Sequence, residues 1–254
     1  MLNRELQQQQ ANKPRRRLSV SLARRESEVV EAQRLRYAVF AGEMGARIET
    51  ARPGVDHDIF DPHCEHLLVR DEDSGEVVGT YRILPPRNAH RIGGYYSEQE
   101  FDLVRLAQLR PNLVEVGRSC IHPDYRSGST IFLLWSGLAR YMTENGYDHM
   151  IGCASLSLRD GGHAAASIYQ RIMQRYLCPP EYRAFPRHRL PLEHLDASVQ
   201  AELPPLVKGY LNVGAWICGE PAWDLDFNCA DLLILLPLAN INPRYAQHFL
   251  AKAA

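Results

Sequence analysis

NLVEVGRSCIHPDYRSGSTIFLLWSGLARYMTENG, residues 112–146, is the stretch whose pattern decides the fold. Residues 113–121 suit a largely buried strand, but Glu115 and Arg118 place two charges in it. In a regular strand, residues three apart point to opposite faces, so these two side chains share a face only if the strand bulges. We therefore predict a bulge near Gly117.

A helix follows that strand after a short polar loop. Pro123 ends the strand because proline has no amide hydrogen to donate. Apolar residues at helical spacing then run from Ile131 to Met142, and Asn145-Gly146 is a good helix terminator. The loop before the helix consists of Arg126, Ser127, Gly128, Ser129 and Thr130. A helix N-terminus favours an anion such as phosphate, although an ordinary turn capped by Ser129 or Thr130 has the same pattern.

The composition bounds the class of protein. The chain has 254 residues, 45% of them hydrophobic and 23% charged, which is enough to bury a large core. A formal net charge of -1 gives no global field that would select nucleic acid. The six cysteines form no C-x-x-C pair, as is typical of reduced thiols in a cytosol. No apolar run is long enough to span a membrane, and the N-terminus lacks the pattern of a signal peptide. We therefore expect a cytoplasmic protein.

Residues 1–25 are rich in glutamine and basic residues, with Glu5 the only acid before position 26. This composition predicts a flexible tail. Such a tail is either simply solvated or contacts an acidic carrier protein or an anionic inner-membrane surface. We expect residues 26–254 to form a single domain.

Periodicity places the other elements. Helices are expected over 26–41 and 163–176, a hairpin over 67–69 and 76–84, and strands over 149–154, 208–217 and 231–238. Ser97 and Glu100 resemble the capping box of a short helix. Alternating strands and helices predict an α/β or α+β layered fold with a mixed central sheet flanked by helices.

Acids and histidines crowd together between Asp56 and His66. A metal site is one interpretation, because His and carboxylate are common ligands. No second cluster at ligand spacing accompanies this one, which favours pairing of the acids with arginines and no metal.

The order strand, IHPDYR, small-residue loop and helix resembles the central motif of the GNAT acyltransferases. In that family, the loop amides hold the phosphates or the phosphopantetheine arm of an acyl thioester. The usual loop pattern is R/Q-x-x-G-x-G/A, whereas this chain has Ser129 and Ile131 at the two last small positions. That departure argues against ordinary coenzyme A and leaves room for a donor carried on a protein.

The whole chain after the tail resembles the ornithine N-acyltransferases that use acyl carrier protein in making ornithine lipids. The resemblance lies in RLRYAVFAGEMGA, DIFDPHCEHLLV, VVGTYRILPP, the central stretch, and most specifically PPLVKGYLNVGAWICGEPAWDLDFNCADLLILLPL. It implies a GNAT fold in which residues 178–254 complete the sheet and add a family-specific region. A weaker similarity to acyl-homoserine-lactone synthases covers Arg36, Phe40, Asp58, Asp61, Arg82, Glu115 and Arg118.

The resemblance implies transfer of a 3-hydroxyacyl group from the phosphopantetheine arm of acyl carrier protein to the α-amine of ornithine. The product is a lyso-ornithine lipid, and no permanently bound cofactor is expected. A protonated amine must lose its proton before it attacks a thioester, and Glu115 is the candidate base, with Arg118 beside it.

Further roles complete this expectation. Amides at Cys120 or Ile121 would stabilise the oxyanion, and Tyr169 would protonate the leaving thiolate. Residues 126–130 would hold the phosphopantetheine. Asp58 and Asp61 would bind the cationic side chain of ornithine or pair with Arg36 and Arg82.

Two alternatives stay open. An autoinducer synthase would need a pocket for S-adenosylmethionine, and the long C-terminal block argues against it. A non-catalytic binding module with this fold is favoured by the irregular phosphate loop, but the presence of both Glu115 and Arg118 argues against it.

Overall fold

A central sheet organises the protein, whose computed structural model describes residues 16–50, 52–126 and 128–241. The strands are β1 (Leu18–Leu22), β2 (Glu65–Asp71), β3 (Val77–Leu84), β4 (Phe101–Asp102), β5 (Leu113–Ile121), β6 (His149–Ser157), β7 (Phe185–Pro186), β8 (Trp216–Ile217), β9 (Ala222–Asp224) and β10 (Cys229–Pro237). The sheet order is β1-β2-β3-β5-β6-β10-β8, with β9 also paired to β10, while β4 and β7 pair separately. β5 and β6 run parallel and their neighbours pair antiparallel, so the predicted mixed sheet is confirmed.

Helices cover both faces of this sheet. They are α1 (Glu26–Tyr37), α2 (Pro86–Ile92), α3 (Gly128–Asn145), α4 (His163–Tyr176) and α5 (Pro205–Val213). α1 continues into a π-helical turn at Ala38–Glu43. One large core joins α3, α4 and α5 to one face of the sheet, and two smaller cores lie on the other face, under α1 and under residues 84–113.

The predicted bulge in β5 is confirmed. Gly117 pairs with Arg82 and Cys120 pairs with Thr80, so Arg118 and Ser119 stand opposite Tyr81 alone. Arg118 has φ of +50°, a left-handed conformation that is rare for a non-glycine residue. The extra residue reverses the alternation of faces, and Cys120 packs in the core beside α1. Glu115 and Arg118 therefore face the same side of the sheet.

A cleft opens beside that bulge. Among the described residues, the parallel pairing of β5 with β6 ends at Glu115 and Ile151. β5 continues to Ile121 and β6 to Ser157, so the carboxyl-terminal halves of the two strands leave the shared ladder. The strand groups that face this gap are available to a ligand.

Several local predictions are confirmed with small changes of boundary. The hairpin is β2–β3, the strands at 149–154 and 231–238 are β6 and β10, and the helices at 26–41 and 163–176 are α1 and α4. Gly146, with φ of +67°, ends α3 as the Asn-Gly pair predicts. The structure has no helix, within the described ranges, that is long and apolar enough to cross a membrane.

The flexible tail predicted over residues 1–25 is wrong for Leu18–Leu22, and residues 1–15 lie outside the described residues. Leu18–Leu22 forms β1 and pairs antiparallel with β2. Val20 packs against the large core close to Gly137 of α3, where an added Cβ would lie 3.0 Å from the valine side chain. The alternation of apolar and polar residues in LSVSL outweighs the basic composition around it.

The strand predicted over 208–217 is also wrong, because most of this range is helical. α5 begins with Pro205 in its first turn and ends at Gly214, whose φ is +112°. Val207, Tyr210 and Leu211 are buried at helical spacing. Only Trp216–Ile217 is a strand, β8.

Candidate active site

A cavity of about 190 Å³ lies at the bulge of β5. Its walls come from β3, β5, β6 and the ends of β9 and β10, with aromatic residues closing it. The lining residues include Phe40, Cys64, Arg82, Tyr96, Glu115, Arg118, Cys153, Asp224, Phe227 and Asp231. The cavity therefore collects residues from segments that are far apart in the sequence.

Glu115 is held at the wall of this cavity by the segment before β4. Its carboxylate accepts hydrogen bonds from the amides of Tyr96 and Ser97 at 2.6 and 2.7 Å, and from the Ser97 hydroxyl. These donors begin the short 3₁₀ helix Tyr96–Gln99. A carboxylate has about four acceptor positions, so three donors leave Glu115 capacity for one more partner.

Burial raises the pKa of Glu115, and the hydrogen bonds from Ser97 and Tyr96 oppose that shift. The side chain is only 5% exposed. A buried carboxyl with a raised pKa takes up a proton near neutral pH more readily than an exposed one. Glu115 is thus suited to accept a proton from a ligand in the cavity.

The predicted capping box at Ser97 and Glu100 is wrong in detail. The helix is capped at Tyr95, whose amide donates to Glu98 at 2.8 Å. Ser97 and Glu100 are left for other contacts near the cavity.

Three arginines and three aspartates form a buried network under the cavity. Arg36 is fully buried and donates to Asp56 and Asp61 at 2.7 Å, while Arg82 donates to Asp58 at 2.7 Å. The structure therefore engages Asp58 and Asp61 in ion pairs with arginines. This explains the acidic cluster between Asp56 and His66 without a metal ion.

Arg118 is the least tightly engaged arginine of that network. Its contacts with Asp56 and Asp58 measure 3.4 and 3.5 Å. The guanidinium carbon lies 5.0 Å from the ring centroid of Tyr96 and 4.7 Å from that of Phe227. The two rings fix the guanidinium and leave its charge facing the cavity.

Two sequence-based assignments do not fit this geometry. Tyr169 is 6% exposed within the large core under α4, apart from the residues that line the cavity. Cys120 and Ile121 likewise do not line it, because both have returned to the ladder opposite Thr80 and Gly79. Gly117, Arg118 and Ser119 of the bulge line the cavity instead.

The predicted phosphate loop lies next to the cleft but outside the cavity lining. Arg126 forms a bidentate ion pair with Glu43, in which its two terminal nitrogens donate to the carboxylate at 2.5 and 2.6 Å. Thr130 is fully buried, and an added Cβ at Gly79 would lie 3.1 Å from its methyl group. Gly128 and Ser129 are exposed at the start of α3, and Ser127 lies outside the described residues. Exposed positions at the start of an 18-residue helix still suit an anion.

Sequence reasoning missed three acids beside the cavity, namely Glu100, Asp224 and Asp231. Oxygen atoms of Glu100 and Asp231 and the Cys153 sulfur lie within 4.8 Å of one another, and Asp224 is similarly close to Asp231. Asp224 and Asp231 lie on the paired strands β9 and β10, Cys153 lies on β6 beside β10, and Glu100 comes from the segment just before β4. The signal available in the sequence was Asp231 itself, a charge inside the apolar run ADLLILLPL.

Glu100→Gln should make stability less sensitive to pH. Burial, reinforced by the charge of Asp231, raises the pKa of Glu100 from 4.5 to about 10. The folded chain therefore keeps a proton that the unfolded chain loses, and the free energy of unfolding falls as the pH rises from about 4.5 to about 10. Glutamine does not titrate, so the variant keeps the free energy of unfolding that the parent loses as the pH rises. The Tm of the variant minus that of the parent should therefore increase between pH 5 and pH 9, by about 2–4 °C for each kcal/mol of unfolding free energy.

Glu202→Gln is the matched control for that experiment, because Glu202 is exposed. Its Tm should follow the parent protein at every pH. If the Tm difference between Glu100→Gln and the parent were the same at pH 5 and pH 9, the raised pKa of Glu100 would be contradicted.

The cavity thiols are not suited to act as nucleophiles. Burial raises the pKa of Cys64 to about 12 and that of Cys153 well above its ordinary value of 9.0. Both remain protonated at neutral pH, and a protonated thiol is a poor nucleophile. All six cysteines are free thiols. The arrangement therefore favours direct attack of a ligand amine over a covalent cysteine intermediate.

Sequence comparison assigns this sheet, with its strand bulge, its split between parallel strands and the buried Glu115 carboxylate beside them, to an acyltransferase of the GNAT class. The acetyltransferase (GNAT) domain family matches residues 35–136. In fold, the chain is similar to the crystal structure of the AHL synthase LasI. That match has a TM-score of 0.53 at 12% identity and covers 93% of this chain and 96% of the other.

Curated relatives define the family more narrowly. The L-ornithine N(alpha)-acyltransferase of Brucella abortus is 39% identical over 253 residues, covering 93% of this chain and 90% of that protein. The L-ornithine N(alpha)-acyltransferase of Agrobacterium fabrum is 36% identical over 250 residues, covering 91% and 85%. The chain belongs to the L-ornithine N(alpha)-acyltransferase family and is an acyltransferase.

Proposed function

We propose that the protein moves a 3-hydroxyacyl group from the phosphopantetheine arm of acyl carrier protein to the α-amine of L-ornithine. The products are a lyso-ornithine lipid and the free carrier. The names of relatives at 36–39% identity over most of the chain support ornithine as acceptor. The observation that carries the proposal is the buried Glu115 carboxylate at the wall of a cavity that adjoins the split between β5 and β6.

Glu115 accepts the proton of the attacking amine. An α-amine has a pKa of about 8 in peptides and is mostly protonated at neutral pH, so it needs a base before it can attack. The raised pKa of Glu115 brings the carboxylate closer to the pH at which a general base is most effective. Glu115 takes one proton from the ammonium and releases it through water to the solvent, and the free amine nitrogen then bonds to the thioester carbon. As the carbon–sulfur bond breaks, Glu115 takes a second proton from that nitrogen, and this proton passes through water to the thiolate.

The bulge supplies the oxyanion donors in this proposal. Arg118 and Ser119 stand opposite one residue of β3, which leaves backbone groups there outside the regular ladder. Loss of one oxyanion donor costs about 3 kcal/mol in enzymes where this has been measured. Tyr169 has no part in this step, because it lies in the core.

Arg118 binds the α-carboxylate of the amino acid. Its contacts with aspartates are longer than those of Arg36 and Arg82, so it can form a further ion pair without breaking a short one. A guanidinium is the preferred partner of a carboxylate in proteins. Carboxylate binding at Arg118 would direct the neighbouring amine toward Glu115 on the same face of the sheet.

The carrier approaches at the start of α3. The exposed Gly128 and Ser129 would hold the phosphate of its phosphopantetheine arm. Arg16 places a further cation there, since it donates to the Asp124 carbonyl at 2.6 Å and lies over the Tyr125 ring. A cation beside the loop suits an acidic carrier protein in the cytoplasm, with an anionic membrane surface as the alternative partner.

The test offers 3-hydroxyacyl carrier protein and the matching acyl-coenzyme A separately to a panel of amino acids, with mass spectrometry of the products. The expected result is N-acyl-ornithine from the carrier thioester and little from coenzyme A. Product from coenzyme A alone, or no N-acyl product from any amino acid, would contradict the proposed function.

A further inference from the structure

The three acids beside the cavity form a site with unbalanced negative charge. Asp231 is 4% exposed and lines the cavity, and the Cys229 thiol donates a hydrogen bond to it at 3.4 Å. Both carboxyl oxygens of Glu100 are buried, and the proton that Glu100 retains is shared with the neighbouring Asp231. Within residues 16–50, 52–126 and 128–241, no lysine, arginine or histidine forms an ion pair with Glu100, Asp224 or Asp231.

This lack of cations contrasts with the arginine–aspartate network nearby. There, each buried carboxylate has a guanidinium within about 3 Å. Buried carboxylates without a cation are strongly destabilising unless they are neutralised or paired. The proton on Glu100 neutralises one of the three carboxyl groups, and a cationic ligand that enters from the cavity would compensate the remaining negative charge.

The site also lies at a suitable place relative to Glu115. The Ser97 hydroxyl donates to Glu115 and lies 3.5 Å from the Cys153 sulfur. That sulfur in turn lies within 4.8 Å of the carboxylate oxygens of Glu100 and Asp231. The side chains of Ser97 and Cys153 thus separate Glu115 from Glu100 and Asp231. The three-carbon side chain of ornithine can span this separation.

We infer that Asp231 and Glu100, assisted by Asp224, bind the side-chain ammonium of the amino-acid acceptor and select acceptors that carry one. The inference rests on the proposed function and deepens it by assigning the acceptor's specificity site. The aspartates between 56 and 61 are occupied by arginines and do not take this role. Ammonium binding beside a protonated Glu100 also displaces its proton, because the nearby cation favours the ionised carboxyl.

The test compares L-ornithine with L-norvaline, which has the same carbon chain and lacks the terminal amine. Binding of each to the full-length protein is measured by calorimetry, and acylation of each by mass spectrometry. The parent protein should bind ornithine at least tenfold more tightly than norvaline. Asp231→Asn should lower ornithine binding by about 10–100-fold, the range expected for loss of one charged hydrogen bond, and should leave norvaline binding unchanged.

Norvaline serves as the internal control for folding, because a variant that merely unfolds would lose both ligands. Glu100→Gln should also reduce the preference for ornithine and should abolish proton release on ornithine binding, measured in buffers of different ionisation enthalpy. Glu202→Gln, on the exposed surface, should retain the parent's preference.

Equal binding of the two amino acids by the parent, or an unchanged preference in Asp231→Asn, would overturn the inference. Loss of the preference after dialysis against EDTA would also overturn it, since a metal ion would then occupy the acids. Selective ornithine binding without acylation of any amino acid would contradict the proposed function and leave the specificity site supported.

Discussion

Glu115→Gln is expected to lower kcat for ornithine acylation by about a hundredfold or more at neutral pH, in line with the contribution of a general base. Glutamine has nearly the same shape and keeps an oxygen for the Ser97 donors. The NH2 group of the glutamine would face the Tyr96 amide, and two donors cannot bond to each other, so a modest fall in Tm is expected as well.

The pH dependence separates a base from a structural role. At high pH the acceptor amine loses its proton to solvent and no longer needs the base. The ratio of kcat between the parent and Glu115→Gln should therefore become smaller as the pH rises. Ser97→Ala removes one donor to the Glu115 carboxylate, which raises the pKa of that carboxyl further. The acid limb of the pH–rate profile should therefore move to higher pH in that variant. A constant ratio of rates from pH 6 to pH 10 for Glu115→Gln would dismiss Glu115 as the base.

Asp61→Ala is expected to have the largest effect on stability. Asp61 accepts two hydrogen bonds from the fully buried Arg36 and one from Arg82. Removal of one partner from a buried ion pair typically costs 3–5 kcal/mol, because it leaves an uncompensated charge. For a chain of this size, the expected fall in Tm is roughly 10 °C or more.

The matched control for that variant is Glu31→Ala. It breaks the ion pair with Arg70, whose side chain is 26% exposed while that of Glu31 is 38% exposed. Exposed pairs contribute about 0–1 kcal/mol, so Tm should change by no more than about 2–4 °C. Similar shifts in the two variants would contradict the account of the buried network.

The effect of Asp61→Ala should depend on pH in a definite direction. Burial alone would raise the pKa of Asp61, but the hydrogen bonds from Arg36 and the charges of Arg36 and Arg82 hold it below its ordinary value of 3.8. A carboxyl with a depressed pKa stabilises the fold above that value and loses the contribution as the pH falls further. The difference in stability between parent and variant should therefore shrink below about pH 4.

The elements that sequence alone predicted well are those with local signals. β5 and its bulge follow from an apolar run that two charges interrupt, and the β2–β3 hairpin follows from its turn residues. The end of α3 follows from Asn145-Gly146. In each case a few adjacent residues determine the local geometry, so no long-range information is needed.

The errors have a shared physical cause, which is tertiary context. LSVSL has the alternation of a strand but forms β1 by pairing with the edge that β2 offers, and KGYLNV becomes helical because its apolar residues cover the large core. Tyr169 was assigned by its position in a motif, while its orientation depends on how α4 packs. Glu100 meets Asp224 and Asp231 only through tertiary packing, because its segment before β4 lies far in sequence from β9 and β10. Local patterns carry no record of such packing.

A crystal structure of the protein with N-acyl-ornithine would show whether Glu115 is placed to act as the base. The amide nitrogen of the product should lie within hydrogen-bond distance of the Glu115 carboxylate, directly or through one water, and the acyl chain should enter from the split between β5 and β6. The ornithine carboxylate should meet Arg118. A product bound elsewhere, with Glu115 in contact only with Tyr96 and Ser97, would contradict the account.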